Sequence, residues 1–114
     1  MQDSTVLCAS SAYERKYYLN PVYEKLPQQV KDELQIMCVL YTEDVGGTLT
    51  LEFDEDGSLL LIPAAEEDDI LYDNIGSALK IHQLQRDKGE LFEALERYYR
   101  VVICGEGDVD ASGD

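Results

Sequence analysis

The stretch "TLTLEFDEDGSLLLIP", residues 48–63, contains the clearest strand pattern of the sequence. Its first part alternates apolar and polar residues up to Phe53, "DEDG" (54–57) supplies turn residues, and a second apolar run covers 59–62. This pattern predicts a β-hairpin that ends at Pro63, with a return strand that is apolar on both faces. Because a two-stranded hairpin is marginal in water, we expect it to lie on helices or to pair with another sheet.

A helix is predicted before the hairpin. From Pro27 to Val45 apolar residues recur every three or four positions, and Gly46-Gly47 then ends the helix. Within it, "IMCVLY" (36–41) is apolar all round, which predicts burial on more than one side.

A second helical region is predicted after the hairpin, opening at the acidic residues 66–69 and running to about residue 100. A straight helix over 68–100 would span ~50 Å, so we expect it either to bend near 87–89 or to project and pack on a second subunit. The fold class is therefore α+β: an N-terminal helix, a β-hairpin, and a long or bent C-terminal helical region, with the helices packed on a small antiparallel sheet.

Length and composition favour one domain over residues 1–105, followed by a disordered acidic tail over 106–114. The start shows no secretory leader and no membrane span. Cys8, Cys38 and Cys104 are far apart and odd in number, which favours buried reduced thiols over disulfides or a zinc site. We therefore predict a cytoplasmic protein.

The charge is concentrated in the middle of the chain. The net charge is −15, and residues 32–73 hold thirteen carboxylates and no Lys or Arg. Such charge disfavours nucleic acids and anionic membranes as partners. The helix N-terminus at 66–69 and the hairpin turn at 54–56 account for many of these acids.

Glu43 and Asp44 differ because they occupy the last turn of the first helix, where the helix dipole disfavours negative charge. One interpretation is a salt bridge to Arg97 or Arg100. The other is a surface for a basic protein partner, to which the turn acids also belong; the candidate residues are Glu43, Asp44, Asp54, Glu55 and Asp56.

A second candidate surface is apolar and aromatic. The stretch "YERKYYLNPVYEK" (13–25) places four tyrosines beside basic residues, and a short helix there would put Tyr13 and Tyr17 on one side. These rings either pack on the core or contact a partner. The candidate dimer or core face consists of Leu60, Ile62, Tyr17 and Tyr18.

The sequence predicts no catalytic, cofactor or metal-ligating residue. The single histidine, His82, lies in no catalytic motif, and "DEDG" does not match a calcium-binding EF-hand loop. Enzyme activity is therefore disfavoured, although a divalent-cation sensor or metal-assisted hydrolase that uses Glu43, Asp44 and the loop acids remains an alternative.

Three stretches carry a resemblance: "QVKDELQIMCVLYTEDVGG" (29–47), "LYDNIGSALKIHQLQ" (71–85) and "LFEALERYYRV" (91–101). Together they resemble an uncharacterised family of small acidic proteins from anaerobic Gram-positive bacteria, over roughly residues 8–103. The resemblance implies no activity. In size and acidity the chain is also similar to dimeric secretion chaperones, which makes a client binder a further alternative. Our leading interpretation is a non-enzymatic cytosolic interaction module with a basic protein partner. We expect a homodimer, because the apolar return strand and the long helical region require cover.

Overall fold

The computed structural model describes residues 5–105, in which a four-stranded antiparallel sheet is combined with helices. The elements are β1 (Val6–Ser11), β2 (Lys16–Leu19), a 3-10 turn (Pro21–Tyr23), α1 (Gln28–Val45), β3 (Thr48–Phe53), β4 (Leu59–Ala64), α2 (Asn74–Asp87), α3 (Gly89–Tyr98) and a π-helical turn (Tyr99–Ile103). The strand order is β2-β1-β3-β4. The α+β prediction is confirmed.

The predicted hairpin is formed by β3 and β4, with Thr50 opposite Ile62. The strand β4 continues through Pro63 to Ala64, so the predicted end at Pro63 is wrong. A proline can remain in this strand because β4 lies at the edge of the sheet, where a missing N–H need not interrupt a ladder.

The first two strands were not predicted. The segment that could have formed a short helix with Tyr13 and Tyr17 on one side is instead a turn followed by β2, which pairs with β1. The turn ends at Arg15, whose φ is +55°. The helix α1 is therefore the third regular element of the chain, so its placement as the N-terminal element is wrong.

The helix α1 was predicted well. It spans Gln28–Val45 and is followed by Gly46, whose φ of +84° is a conformation that glycine adopts without steric cost. The side chains of Leu34, Cys38 and Tyr41 face the sheet and are buried.

The second helical region starts later than predicted. The helix α2 begins at Asn74, where the Gly76 N–H donates to Asp73 Oδ1 at 2.8 Å. Residues 66–69 precede this helix in turns, so the explanation of their charge by a helix dipole is wrong. Asp69 instead accepts hydrogen bonds from the Tyr13 hydroxyl (2.6 Å) and the Leu71 N–H (3.1 Å).

The predicted bend near 87–89 is confirmed, since α2 ends at Asp87 and α3 begins at Gly89. The bend lets α3 return to the sheet, where Phe92 and Leu95 are buried. The Leu59 N–H donates to Glu96 Oε2 at 2.8 Å, which joins α3 to β4.

The core lies between the helices and one face of the sheet. Aromatic rings close one end of it: the Phe53 centroid is 4.2 Å from that of Tyr99 and 6.0 Å from that of Tyr23. The opposite sheet face is not covered by helices among residues 5–105, and its side chains are partly exposed. The predicted tail over 106–114 lies outside the described residues.

Candidate functional site

The two helices α1 and α2 run antiparallel and are tied together near both ends. Lys80 Nζ lies 2.8 Å from Asp44 Oδ2, and Lys88 Nζ lies 2.9 Å from Glu33 Oε2. Positions 33 and 44 are separated by eleven residues of α1, or about 16 Å of helix. The two ion pairs therefore bracket a segment of about three helical turns.

A third tie lies at the N-terminal end of α2. The buried Ser77 hydroxyl is 2.5 Å from the Tyr41 hydroxyl and accepts a hydrogen bond from the Tyr72 hydroxyl at 2.7 Å. Ser77 is the only buried side chain of α2. The helix is thus held mainly by polar links and by half-buried apolar residues such as Leu84.

Between these links the helices leave an apolar groove of about 520 Å³. We call it the α1–α2 groove. Met37 and Tyr41 form its floor, Leu84 lies on the α2 side, and Ile36 and Leu40 line the α1 side. The side chains of Ile36 and Leu40 are 59% and 58% exposed. The groove is therefore an apolar surface that the chain itself leaves open to solvent.

Charged side chains surround the α1–α2 groove. Its two lysines are engaged by the carboxylates described above, and Asp87 accepts a hydrogen bond from Arg86 at 3.3 Å. Asp32 accepts a hydrogen bond only from the neutral Gln28 side chain within the described chain, at 2.8 Å. Within residues 5–105 the rim thus keeps a carboxylate that forms no salt bridge, in a protein of net charge −15.

The predicted acidic surface is split by the fold. Glu43 and Asp44 precede β3, whereas Asp54, Glu55 and Asp56 follow it, so the two groups lie at opposite ends of one strand. The predicted salt bridge at the end of α1 exists for Asp44, although its partner is Lys80 instead of Arg97 or Arg100.

One of the turn acids, Asp54, has a structural role. Asp54 Oδ1 accepts hydrogen bonds from the N–H groups of Asp56 (2.9 Å) and Ser58 (3.0 Å), which closes the β3–β4 turn. Glu43 is exposed and lines a separate polar cleft between α1 and the β1–β2 hairpin, together with Arg15 and Lys16.

The predicted apolar and aromatic face is also divided. Tyr17 points toward the helices, packs on the core, and has a buried hydroxyl beside Cys8 and Cys38, so burial raises the pKa of this hydroxyl. Tyr18, Leu60 and Ile62 share the opposite, open face of the sheet, with exposures of 48%, 38% and 37%.

The thiols and the histidine show no catalytic arrangement. Cys8 and Cys38 are buried with their sulfur atoms 4.0 Å apart, and the pKa of Cys38 is raised by its hydrogen bond with Cys8 and by burial. Cys104 is exposed, so the prediction of a buried thiol is wrong there. His82 is exposed on α2.

Residues 5–105 contain no group of three or more His, Cys, Asp or Glu side chains that could hold a metal ion. Asp44 is moreover engaged by Lys80, and the loop acids lie at the far end of β3. The arrangement therefore gives no support to a cation sensor or a metal-assisted hydrolase.

Sequence reasoning missed the α1–α2 groove. The signal is present in "IMCVLY", which is apolar on every side of α1 and predicts burial on more than one side. Ile36 and Leu40 are instead more than half exposed, so neither the sheet nor α2 covers this side of α1. A helix with two apolar sides can therefore mark an open binding surface as well as a buried core.

A second set of exposed apolar residues lies around the start of α2, two before the helix and two within it. Ile70, Leu71, Ile75 and Leu79 are 92%, 88%, 76% and 65% exposed. They line none of the grooves described above, so this set lacks walls that would select a partner.

None of the helices in residues 5–105 is long and apolar enough to cross a membrane. No curated protein and no solved structure matches the chain significantly. Residues 4–107, almost the entire sequence, match the family of unknown function DUF6145. The resemblance to a family without known activity is thereby supported, and the chain belongs to DUF6145.

Proposed function

We propose that this protein is a non-enzymatic interaction module that binds an amphipathic, basic helix of a partner protein in the α1–α2 groove. The observation that carries the proposal is the exposure of Ile36 and Leu40, each more than half exposed, on the wall of an apolar groove. The two buried thiols fit a reducing compartment, so we place the module in the cytoplasm.

The groove suits a helical ligand. Its walls are two antiparallel helices, and the segment between the ion pairs is about 16 Å long, which matches roughly three turns of a third helix. A helix with apolar residues at i, i+3 or i+4, and i+7 places them along one side, where they can cover Ile36 and Leu40. Fully burying one such side chain is worth about 1.5–3 kcal/mol.

The charge of the protein selects a basic ligand. The carboxylates of Asp44 and Glu33 already neutralise the two groove lysines, while Asp32 forms no salt bridge among residues 5–105. A ligand with Lys or Arg beside its apolar side therefore gains favourable electrostatic energy from the rim and from the net charge of −15. An acidic ligand would be repelled.

The test is a binding titration with a labelled model peptide of about 15 residues, the length at which isolated helices become marginally stable. The peptide carries leucines at helical spacing along one side and lysines beside them. We expect saturable binding that increases its helicity in circular dichroism and weakens with added salt. An Ile36→Glu/Leu40→Glu variant should bind at least about tenfold more weakly.

The matched control is Ile75→Glu/Leu79→Glu. It adds the same charge at two exposed apolar residues on the side of α2 that faces away from α1. This variant should bind the peptide as tightly as the wild type. Equal losses of peptide affinity in both variants would contradict binding in the groove. The loss would then follow from the added charge or from nonspecific hydrophobic association.

Two further peptides separate the alternatives. A version with a central proline cannot form the helix, so it should not bind; equal binding would instead support a client binder that holds unfolded chains. A version with glutamates in place of the lysines should bind more weakly at low salt. If it binds equally well, the basic character of the partner is refuted.

A further inference from the structure

The face of the sheet that points away from the helices has an unusual composition for a protein of this charge. Residues paired across the strands share a face, so the registry defines this open face. Its members are Val6, Ala9, Ser11, Lys16, Tyr18, Thr48, Thr50, Glu52, Leu60, Ile62 and Ala64. Only two of them are charged, one of each sign, so the strands contribute no net charge to this face.

We propose that a second copy of this chain covers the open face in a two-fold symmetric dimer. A basic partner would find only one carboxylate among the strand residues of this face. A second copy, with a net charge of −15, can approach here with less repulsion than on a carboxylate-rich surface. Like-charge repulsion across an interface disfavours association, so strand residues without net charge permit two copies of this acidic protein to meet here.

The two charges are placed for reciprocal pairing. Lys16 lies opposite Ser11 of β1, whereas Glu52 is registered with Val6 of the same strand. Ala9 lies between these positions on β1. A two-fold axis that lies in the interface near Ala9, perpendicular to the line from Lys16 to Glu52, brings Lys16 of each copy near Glu52 of the other, which is the self-complementarity that a two-fold interface needs. Neither side chain forms a salt bridge within residues 5–105. Lys16 lies on the edge strand β2 and borders both the cleft of Glu43 and the open face.

The shape of the open face also fits a copy of itself. Small side chains of the two central strands, Ala9, Thr48 and Thr50, line a depression of about 460 Å³ beside Tyr18. Ile62, on the edge strand β4, stands 37% exposed. In a two-fold pair the Ile62 side chain of each copy can enter the depression of the other, and Glu14 remains at its rim.

The size of the face predicts a weak dimer. Four strands about 4.8 Å apart and about 20 Å long give roughly 400 Å² in plan. A stable interface usually buries about 800 Å² per partner, so this dimer belongs with the small, transient interfaces. We expect the dimer to have a dissociation constant of about 10 to 100 µM.

Sedimentation equilibrium of the full chain over about 5 to 500 µM tests the proposal. The wild type should pass from monomer to dimer across this range. Lys16→Glu and Glu52→Lys should each weaken the dimer at least about tenfold, because each places like charges together twice in a two-fold pair. The double variant Lys16→Glu/Glu52→Lys should restore the dimer to within about threefold of the wild type.

Rescue by the charge swap is the decisive result, since it depends on direct pairing and not on overall charge. An Ile62→Lys variant should remain monomeric, whereas a Leu79→Lys variant on the helical side should dimerise like the wild type. A wild type that is monomeric throughout would overturn the proposal, and so would a swap that fails to recover the dimer while circular dichroism shows every variant folded.

Discussion

At the scale of single residues, Tyr41 shows how tightly the helices are joined. It is 2% exposed, and burial raises the pKa of its hydroxyl from 10.0 to about 12, although the hydrogen bond with Ser77 acts in the opposite direction. The folded state therefore holds this proton more strongly than the unfolded state. The stabilisation is complete below pH 10 and is lost as the pH rises through the pKa of the folded state.

We predict that the free energy of unfolding falls between about pH 10 and pH 12, by up to about 1.4 kcal/mol per pH unit for Tyr41. Burial raises the pKa of Tyr17, and the hydrogen bond with Cys8 together with burial raises that of Cys38, so both contributions have the same sign. Urea unfolding at several pH values measures the slope. Tyr41→Phe should flatten it relative to the wild type, and parallel curves would refute the assignment. Tyr18→Phe controls for the loss of one half-exposed tyrosine.

At the scale of elements, two glycines that look alike in the sequence have opposite roles. Gly47 has a φ of +70°, and a Cβ there would collide with the Ala64 carbonyl oxygen and the Tyr72 ring. Gly89 opens α3 with nothing within 4 Å of the position of a Cβ. The start of β3 thus requires glycine at position 47. At position 89 a larger side chain would have room.

We therefore predict that Gly89→Ala stabilises the protein by about 0.4–1 kcal/mol, because alanine restricts the unfolded chain and favours the helix. Gly47→Ala should destabilise it by more than that amount, through strain and collision. Urea unfolding of both variants checks the pair. Destabilisation by Gly89→Ala would show that the bend between α2 and α3 needs glycine.

Sequence patterns identified α1, the β3–β4 hairpin and the bend, because these elements have strong local periodicity and clear turn residues. The strands β1 and β2 could not be predicted in this way, since "VLCASS" and "KYYL" do not alternate apolar and polar residues and β2 has only four residues. The acids at 66–69 resembled the first turn of a helix, yet Asp73 supplies the actual cap. The acidic residues thus predicted a start of the helix near residue 66, whereas the cap by Asp73 places the start at Asn74.

At the scale of the whole molecule, the candidate site could be predicted only in part. The apolar surplus of α1 is visible in the sequence, but its exposure depends on where α2 lies, and that is fixed by contacts between distant residues such as Asp44 with Lys80. The open face likewise depends on the strand order, which places Tyr18 and Ile62 on the same side of one sheet.

The fold places the two proposed surfaces on opposite layers: the α1–α2 groove lies in the helical layer, and the open face is the far side of the sheet. No residue that lines the groove belongs to the open face. Because distant sites without shared partners usually act additively, we predict that helix binding and dimerisation are independent.

Titration of the labelled peptide against Ile62→Lys measures this independence. The monomeric variant should bind one peptide per chain with the dissociation constant of the wild type, to within about twofold. Conversely, Ile36→Glu/Leu40→Glu should dimerise normally while losing the peptide. If the monomeric variant also loses the peptide, the two copies must build the groove together, and the layered arrangement would not explain binding.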